Sequence, residues 1–585
     1  MKLLAALLLT ALAPLPALAQ PPAATTTGAD ARFDALATAE YAWRQSLSGT
    51  DENTPRNRRR GLPDVGPAAQ AAKTARWTDT LAALAAIDPA TLSPATRDNY
   101  TVYRGQIAAL LAEQRFRDYE KPLTADTSFW SDLGYLTRAT YRTEDDYRAY
   151  LRTLADVPRY FDQNIANMRA GLNRGFTPPQ VTLRGRDIGV AAVVKAGGSD
   201  ASTFYAPFRT MPATIPAATQ AALRAEALRV IAGSVVPAHA TLLAFLRDRY
   251  IPGARRTLAA YDLPDGRAYY ASKIAEYVTR DLSAEQIHAT GIAEVARIRA
   301  RMATVMRQAG WRGDLAGFLA FLRTDPQFYV TTPQALLDRA AWTAKEFDGK
   351  AARWFGRLPR GRFAIEPVPA EIAPFYTAGR GGPGVYLVNT WNLPARPLYS
   401  LPALTLHESA PGHAWQMPFA MELDDLPAYR RDTYISAYGE GWALYCEALG
   451  EEMGLYHTPY ETFGMLSYQM WRAARLVVDT GIHAQGWSRE RAQAFLHDNT
   501  ALSDHEITTE VDRYISWPGQ ALSYYMGELT FLAGRAKAEK ALGDKFDIRA
   551  FHDAMLSLGS VPLPMIDARV DRFIAAGGKG PYPLK

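Results

Sequence analysis

The sequence predicts a mostly α-helical protein with one small antiparallel β-sheet, and three observations support this fold class. Alanine, leucine and arginine recur at spacings of three and four residues over about residues 30 to 355, with few β-branched runs, as in amphipathic helices. Residues 362 to 390 break this pattern, and helical spacing resumes near Leu401 and continues to about Ala575. We therefore expect one helical domain over residues 20 to 585, with two lobes at about 20 to 355 and 356 to 585.

The first nineteen residues have the order of a secretory signal peptide. Lys2 precedes an apolar run from Leu3 to Leu12, and Ala17-Leu-Ala19 stands at the expected cleavage site. The run is too short to span a bilayer, and we find no later stretch of about 18 apolar residues that could do so. No cysteine near Ala19 offers a lipid attachment point. We therefore expect export to the periplasm or the medium, with no membrane anchor in the mature form.

Charge and cysteine content argue against two function classes. The chain has 65 Lys and Arg against 60 Asp and Glu, and the basic residues are scattered apart from a cluster at Arg56 to Arg60. Because this is not a basic stripe interleaved with aromatic residues, nucleic acid is not an expected partner, and we interpret the cluster as a solvated loop. The single cysteine, Cys446, allows no intramolecular disulfide. We interpret it as a small buried residue on a helix, not as a catalytic thiol.

The clearest helices in the N-terminal half have recognisable starts. Residues 217 to 231 follow Pro216, which suits the beginning of a helix. Residues 283 to 309 begin with Ser283-Ala-Glu-Gln286, the order of a capping box. We therefore predict helices over both segments.

Residues 362 to 390 predict the small sheet. Residues 363 to 368 and 385 to 390 alternate or run apolar on either side of a glycine-rich segment. That segment, Gly379-Arg-Gly-Gly-Pro-Gly384, has the glycine spacing of dinucleotide-binding folds, which need a strand before it and a helix after it. Here a strand-like segment follows, and Pro383 interrupts the pattern. We interpret the segment as a hairpin turn.

Two histidines six residues apart form the most informative motif, His407-Glu-Ser-Ala-Pro-Gly-His413. Zinc peptidases commonly carry two histidines four residues apart on a helix, with a glutamate beside the first. Six steps of about 100° leave the two rings about 120° apart, so a straight helix cannot chelate one ion with both. Pro411 would clash with the carbonyl of His407, so the helix must bulge or break, and Gly412 gives the backbone freedom to return His413 to the same face. Alone, the motif also fits two histidines that flank a kink for packing.

Glu440 is a third candidate ligand, on a predicted helix with glycine on both sides; its alternative is a solvated position. Two imidazoles and a carboxylate leave the fourth position of zinc open for water. Glu408 is then placed as the general base that takes the proton and passes it to the leaving amine. We expect one zinc per chain on His407, His413 and Glu440, with manganese and cobalt as alternatives. Glu447 lies two turns further along, and we interpret it as solvated rather than as a group that orients a ligand.

One downstream segment offers a histidine as a further catalytic group. Arg475, Asp479 and His483 recur every four residues, so they share a helix face. Asp479 is placed to fix the tautomer of His483. A catalytic role for His483 and a structural role stay equally open.

A second downstream segment offers a donor for the oxyanion of amide hydrolysis. Pro518 suits a helix start, which puts Gln520 and Tyr524 on one face. We predict Tyr524 as the donor, and Arg513 as a group that grips a substrate carboxylate. Gln520 is a further candidate for substrate binding.

These motifs resemble a bacterial family catalogued as domain of unknown function 885. The matching stretches are H-E-S-x-P-G-H, E-G-W-A-L-Y, D-T-G-I-H and R-Y-x3-P-G-Q-A-x2-Y, with Gly175 to Pro179, Leu263 to Gly266, Tyr269-Tyr270 and Leu282 to His288 upstream. The family is similar to helical gluzincin peptidases such as thimet oligopeptidase and angiotensin-converting enzyme, which implies a deep channel between two lobes. The resemblance implies that His407, His413 and Glu440 are ligands and that Glu408 is the base. The histidine spacing is two residues longer than in those peptidases, so their substrate subsites do not transfer by position.

We therefore predict a zinc metallopeptidase that cuts short peptides. Residues 385 to 390 are the predicted edge strand that holds the substrate backbone, with Tyr386 and Asn389 among the substrate-binding residues. One alternative is a zinc hydrolase that acts on a non-peptide amide or ester. Another is a non-catalytic periplasmic binding protein with a vestigial metal site, against which the intact Glu408 argues. A Ser/His/Asp hydrolase is not expected, because no G-x-S-x-G segment occurs.

Overall fold

The computed structural model describes residues 28–47, 61–370 and 372–582, and this part of the chain is mostly helical. The predicted signal peptide and the Arg56 cluster lie outside the described residues. The helices are α1 Gly28–Ser46, α2 Pro67–Ala85, α3 Pro94–Phe116, α4 Leu133–Thr137, α5 Glu144–Ala155, α6 Val157–Asn173, α7 Ile188–Ala196, α8 Ala206–Arg209, α9 Ala217–Val230, α10 Val236–Phe245, α11 Ile251–Gly253, α12 Gly266–Val278, α13 Ala284–Gln308, α14 Leu315–Thr324, α15 Pro333–Lys350, α16 Leu401–Glu408, α17 His413–Met421, α18 Ala428–Arg431, α19 Ser436–Glu452, α20 Pro459–Gln485, α21 Arg489–Asn499, α22 Asp504–Ser516, α23 Ser523–Leu542, α24 Ile548–Leu556 and α25 Leu563–Ala575.

Both predicted N-terminal helices are confirmed. The capping box of α13 forms as expected, since Gln286 N–H donates to Ser283 Oγ at 3.2 Å and Ser283 N–H donates to Gln286 Oε1 at 2.8 Å. Helix α9 begins after Pro216 and continues through two π-helical turns and α10 to the end of α11. This continuous helix, Ala217–Gly253, is long and apolar enough to cross a membrane, contrary to the expectation that no such stretch exists. In the described structure, its buried positions pack into a core with α5 and α6.

Apolar side chains form three cores within the described residues. The largest combines residues from 102 to 573 and contains the long contact between α13 and α20. A second core uses residues 62 to 254, and a small third one joins α1, α2 and α3 to Tyr429. The largest core thus contains residues from both sides of position 355. Cys446 is buried in α19, as predicted.

The small sheet is mixed, which corrects the antiparallel prediction. Its strands are β1 Ala364–Pro367, β2 Gly379–Gly382 and β3 Val385–Val388, in the order β1-β3-β2. β2 and β3 form a hairpin around Pro383 and Gly384, where Gly384 has a φ of 82°. This is not the predicted hairpin, because Gly379–Gly382 is a strand where a turn between residues 363 to 368 and 385 to 390 was expected. β1 pairs in parallel with β3, and the end of β1 and the start of β2 both lie beside Val388. β3 is therefore central, and β2 lies at an edge.

Candidate metal centre and its cavity

The helix break predicted at Pro411 is confirmed and brings the two histidines together. α16 ends at Glu408 and α17 begins at His413. Gly412 N–H donates to Leu406 O at 3.0 Å, and a Cβ on Gly412 would lie 1.8 Å from His407 O. With a φ of −75°, Gly412 is required here for its lack of a side chain and not for a left-handed conformation. The two imidazole rings have centroids 4.9 Å apart.

Both histidines direct their Nε2 atoms at one oxygen of Glu440. Glu440 Oε2 lies 3.1 Å from His413 Nε2 and 3.4 Å from His407 Nε2. All three side chains are buried, so the solvated interpretation of Glu440 is wrong. Glu408 belongs to the same cluster, since His407, Glu408 and His413 offer ligand atoms within 4.8 Å of one another. Two imidazoles and two carboxylates thus surround one small volume.

The electrostatics of this cluster favour a cation. Burial opposes the charge on His407, but Glu408, Glu440 and Glu447 outweigh it and raise the His407 pKa to about 10. Burial likewise opposes ionisation of Glu440, yet His413 and His407 hold its pKa well below 4.5. The carboxylates therefore create a negative potential where the two ring nitrogens meet, which a divalent ion would neutralise.

The glycines that flank Glu440 explain how its helix reaches the cluster. A Cβ on Gly441 would lie 2.3 Å from Gly527 Cα, because α19 and α23 cross with their backbones in contact at these two residues. A Cβ on Gly439 would lie 2.3 Å from a ring carbon of Tyr434. The two glycines thus let one helix and one aromatic ring close on either side of Glu440.

Glu447 orients His407, which corrects the solvated interpretation. It is fully buried in α19, and its Oε1 accepts a hydrogen bond from His407 Nδ1 at 2.7 Å. Arg472 Nη2 lies 3.4 Å from the same oxygen. Since Nδ1 donates to a carboxylate oxygen, Nδ1 carries a proton, and a metal ion that displaced the proton of Nε2 would meet the lone pair of that atom at the cluster. Burial, followed by the negative charge of Glu447, raises the pKa of the Glu528 carboxyl to about 8. Glu528 is therefore mainly neutral at pH 7.

Glu408 is held by the edge strand of the sheet. Gly381 N–H donates to Glu408 Oε2 at 2.6 Å. A Cβ on Gly381 would lie 1.8 Å from the backbone oxygen of Glu408, so β2 rests directly on the end of α16. The β2–β3 hairpin therefore fixes the candidate base beside the two histidines.

A cavity of about 800 Å³ opens onto the cluster. Three other predicted site residues line it, namely Tyr524, Arg513 and Gln520. Arg513 Nη2 donates to Gln520 Oε1 at 2.7 Å and to Tyr524 Oη at 3.1 Å. The Tyr524 ring lies nearly parallel to that of His407, with centroids 6.2 Å apart. These three residues therefore form one wall next to the candidate metal centre.

His483 lies in the core, apart from the residues that line the cavity. Ala260 N–H donates to its Nδ1 at 3.1 Å, and its Nε2 donates to Tyr514 O at 2.9 Å. Burial lowers the pKa of His483 to about 3, so the ring stays neutral. Asp479, predicted to fix its tautomer, instead accepts from Tyr270 Oη at 2.6 Å. Both ring nitrogens are thus used in packing, and a catalytic role is not supported.

Tyr386 and Asn389, predicted to bind substrate, are fully buried and do not line the cavity. Tyr386 lies on the central strand, with its Oη 3.4 Å from Thr405 Oγ1. The Asn389 amide donates to three backbone carbonyls in residues 373–377 at 2.9 to 3.1 Å. Both residues were predicted to bind substrate because β3 was taken as the edge strand of the sheet. Asn389 holds the loop that leads into β2, so its role is structural.

Two contributors to the cavity were missed from the sequence. Tyr434 lines the cavity and donates to Glu440 Oε1 at 3.1 Å. Glu510 is buried and pairs with Arg475 Nη2 at 2.8 Å and Arg513 Nη1 at 3.6 Å. Glu510 could have been noticed three residues before Arg513 on the same helix face. Tyr434 gave no signal of its own, since it precedes α19 in a loop.

The fold and the cluster define a mostly helical protein with a candidate divalent-metal centre in a large cavity. The sequence profile described as a bacterial protein of unknown function (DUF885) matches residues 45–570, so the chain belongs to this family.

Two solved structures share the fold. One, provisionally described as a lipoprotein from Colwellia psychrerythraea, has a TM-score of 0.84 at 24% identity and covers 94% of this chain and 99% of its own. Another, provisionally described as a lipoprotein of unknown function from Shewanella oneidensis, has a TM-score of 0.66 at 17% identity and covers 92% and 98%. No curated protein sequence matches the chain.

Proposed function

We propose that this protein is a single-zinc metallopeptidase that hydrolyses short peptides. The observation that carries the proposal is the convergence of His407 Nε2 and His413 Nε2 on Glu440 Oε2, with Glu408 beside them. Two imidazoles and one carboxylate are the ligand set of catalytic zinc sites that keep a position open. The resemblance to helical gluzincin peptidases supports the same roles.

The residues present fit a zinc ion. With a metal bound, the donor set would combine two imidazole nitrogens and a carboxylate oxygen, and the hydrogen bond to Glu447 keeps a proton on Nδ1 of His407, so that Nε2 is the nitrogen left to bind the metal. A zinc ion held there would supply a Lewis acid that polarises a substrate carbonyl and makes water more acidic. The carboxylates around the two imidazole rings favour a bound divalent cation. They argue against a cluster that has only a structural role and binds no metal.

The proton transfers are assigned to Glu408. Its Oε2 is anchored by Gly381 N–H, so the carboxylate keeps a fixed position next to the cluster. There it takes a proton from the attacking water and delivers it to the nitrogen of the leaving amine. Tyr524 is assigned as hydrogen-bond donor to the oxyanion. Arg513 donates to Tyr524 Oη, which leaves the phenolic proton free for the substrate.

The substrate backbone is assigned to the outer side of β2, in place of residues 385 to 390. β2 is an edge strand, and its residues Gly379, Arg380 and Gly381 line the cavity. An extended peptide could add to such an edge through main-chain hydrogen bonds. The cavity volume of about 800 Å³ is typical of a site for a small ligand, so we propose that a few residues of a short peptide bind there, in a channel between two helical lobes.

An envelope or secreted location is part of the proposal. The predicted signal peptide and the description of the two solved relatives as lipoproteins support it. Cys446 is buried inside α19 and could not carry a lipid. We therefore propose that the mature form works in the periplasm or the medium without a lipid on this cysteine.

Metal analysis tests the site first. We expect about one zinc per chain in the purified protein. His407→Ala or His413→Ala should abolish stoichiometric binding, and Glu440→Gln should weaken it, since each change removes or neutralises a ligand. His457→Ala is a matched control, because His457 is exposed and pairs with Glu346 at 3.0 Å. Full zinc occupancy in both ligand variants would contradict the proposed centre.

The activity test uses Glu408→Gln. Glutamine can still accept from Gly381 N–H, so zinc content and fold should persist while turnover falls at least about a hundredfold. Cleavage is followed by mass spectrometry of a peptide library, with amidase and esterase substrates in parallel. The control is Glu422→Gln, because Glu422 also accepts from backbone N–H groups, at 2.9 Å from Arg360 and Gly361. A fully active Glu408→Gln protein would rule out this base, and activity on the non-peptide substrates alone would replace the peptidase assignment.

A further inference from the structure

The two oxygens of Glu440 have separate partners. Oε2 faces the two histidine rings at 3.1 and 3.4 Å. Oε1 instead accepts a hydrogen bond from Tyr434 Oη at 3.1 Å. The carboxylate is therefore held from both sides, with one oxygen directed at the candidate metal position and the other at a tyrosine.

Packing fixes the position of the Tyr434 hydroxyl. The ring lies against the backbone of α19 at Gly439, where any Cβ would come within 2.3 Å of a ring carbon. Its centroid is 6.4 Å from that of His413. The ring lines the cavity and is 37% exposed, so its remaining face looks onto the space where a substrate would bind.

The two tyrosines next to the cluster differ in what their hydroxyls can do. The Tyr434 hydroxyl donates to a carboxylate, which cannot donate in return. The Tyr524 hydroxyl accepts from Arg513 and keeps its proton for another acceptor. Tyr434 is therefore suited to hold a ligand, and Tyr524 to act on a substrate.

We propose that Tyr434 is a positioning residue that restricts Glu440 to one ligating oxygen. A carboxylate can bind a metal through one oxygen or two, and a hydrogen bond to Oε1 opposes the second mode. With Oε1 held by Tyr434, Glu440 would occupy one coordination position of a bound metal and leave another free for water and substrate. The Glu440 side chain would also be ordered before the metal binds. This inference rests on the proposed function, because it requires a metal at the cluster.

The test is zinc affinity, measured by competition with a chromophoric chelator on the purified protein. Tyr434→Phe keeps the ring against Gly439 and removes only the hydroxyl. We expect the Kd for zinc to rise 10- to 100-fold, the usual effect of losing a partner of a metal ligand. Tyr277→Phe is the matched control, because Tyr277 lines the same cavity and its Oη accepts from Trp517 Nε1 at 2.8 Å, away from the cluster. Its Kd should equal that of the wild type.

A double-mutant cycle separates positioning from general damage. If Tyr434 acts through Glu440, then Tyr434→Phe should have no further effect on zinc affinity in a Glu440→Ala background. An equal loss in both backgrounds, or an unchanged Kd in the single variant, would overturn the inference while leaving the zinc site in place. A wild-type protein that binds no zinc would instead overturn the proposed function, and this inference with it.

Discussion

At the scale of single residues, two guanidinium groups lie next to Tyr524 and support the role proposed for its hydroxyl. Arg513 donates to its hydroxyl, and the Arg475 guanidinium carbon lies 4.2 Å from the ring centroid. Buried Glu510 pairs with both arginines. This network fixes the phenol in one orientation and places positive charge around it, so its proton is well placed to meet a developing oxyanion.

Removing that hydroxyl should therefore affect turnover more than binding. For Tyr524→Phe we expect kcat to fall by roughly 10²-fold with little change in KM, as for a donor used mainly in the transition state. Steady-state kinetics on a peptide cut by the wild type measures both constants. Tyr525→Phe is the control, because Tyr525 donates to Glu294 at 2.8 Å and does not line the cavity. Unchanged kcat in Tyr524→Phe would remove this tyrosine from the reaction.

Local spacing predicted that His407 and His413 lie together, but it did not predict all of the residues around them. The clash of Pro411 with the carbonyl of His407 is a local effect, so the sequence could reveal the break that joins His407 and His413. His483 shares a helix face with Arg475, but two turns separate them, about 12 Å along the axis. Arg475 reaches the cavity wall while His483 is enclosed by Ala260 and Tyr514. Helix periodicity predicts which residues share a face of the helix. It does not predict which other residues cover each part of that face.

At the scale of elements, the crossing of α19 and α23 positions the centre. These helices touch at Gly441 and Gly527, and a Cβ on Gly527 would lie 2.1 Å from Ala437 O. Glu440 precedes the contact on α19, and Tyr524 lies one turn before it on α23. The close approach therefore brings a proposed ligand and a proposed donor to the same cavity.

A methyl group at this crossing should separate the helices. We expect Gly441→Ala to lower the melting temperature and to weaken zinc binding, because α19 must shift and Glu440 moves with it. Gly349→Ala is the control, since Gly349 lies on α15 and a Cβ there would meet nothing within 4 Å beyond its chain neighbours and the backbone of its own helix. That change should stabilise the protein by about 0.5 to 1 kcal/mol. Thermal unfolding and chelator competition give both readouts, and equal behaviour of the two variants would refute the tight crossing.

The sheet shows where element prediction failed. A turn at Pro383 and Gly384 and the strand after it were predictable, because both residues carry a turn signal and an apolar run follows them. The direction of β1 was not, since a strand of four residues carries no sequence signal for the direction of its partner, and the described residues between β1 and β2 form only a short 3-10 helix, Ala373–Phe375. The glycine-rich β2 was taken as part of the turn. Residues 385 to 390 were therefore predicted to form the edge strand. For the same reason, Tyr386 and Asn389 were predicted to bind the substrate.

At the scale of the whole molecule, the cavity walls come from segments far apart in the chain. Residues of α3 and α12 line one part, and residues of α16, α19, α20 and α22 line another. A helical pattern predicted each of these segments, but the sequence contains no local signal for which of their faces meet around a cavity. The mostly helical class could thus be predicted, and so could Arg513 and Tyr524 in the lining, whereas Tyr434 could not.

This enclosure leads to a prediction about substrate size. The candidate centre is buried, and the cavity of about 800 Å³ has room for a few residues in an extended conformation. Short peptides can adopt that conformation at modest cost, whereas a segment of a folded domain would first have to unfold. We expect efficient cleavage of peptides up to about twenty residues and negligible cleavage of stable folded proteins, on the reasoning that backbone pairing needs a free extended strand.

A matched pair of substrates makes this measurable. A peptide found to be cut would be placed, with the same sequence, in a strand of a stable small domain and in a destabilised variant of that domain. Cleavage followed by mass spectrometry should be fast for the free peptide, undetectable for the stable domain, and intermediate for the variant in proportion to its unfolded fraction. Glu408→Gln supplies the background for contaminating peptidases. Equal rates on the free peptide and on the stable domain would show that the centre is open to folded proteins, and would contradict the enclosed channel.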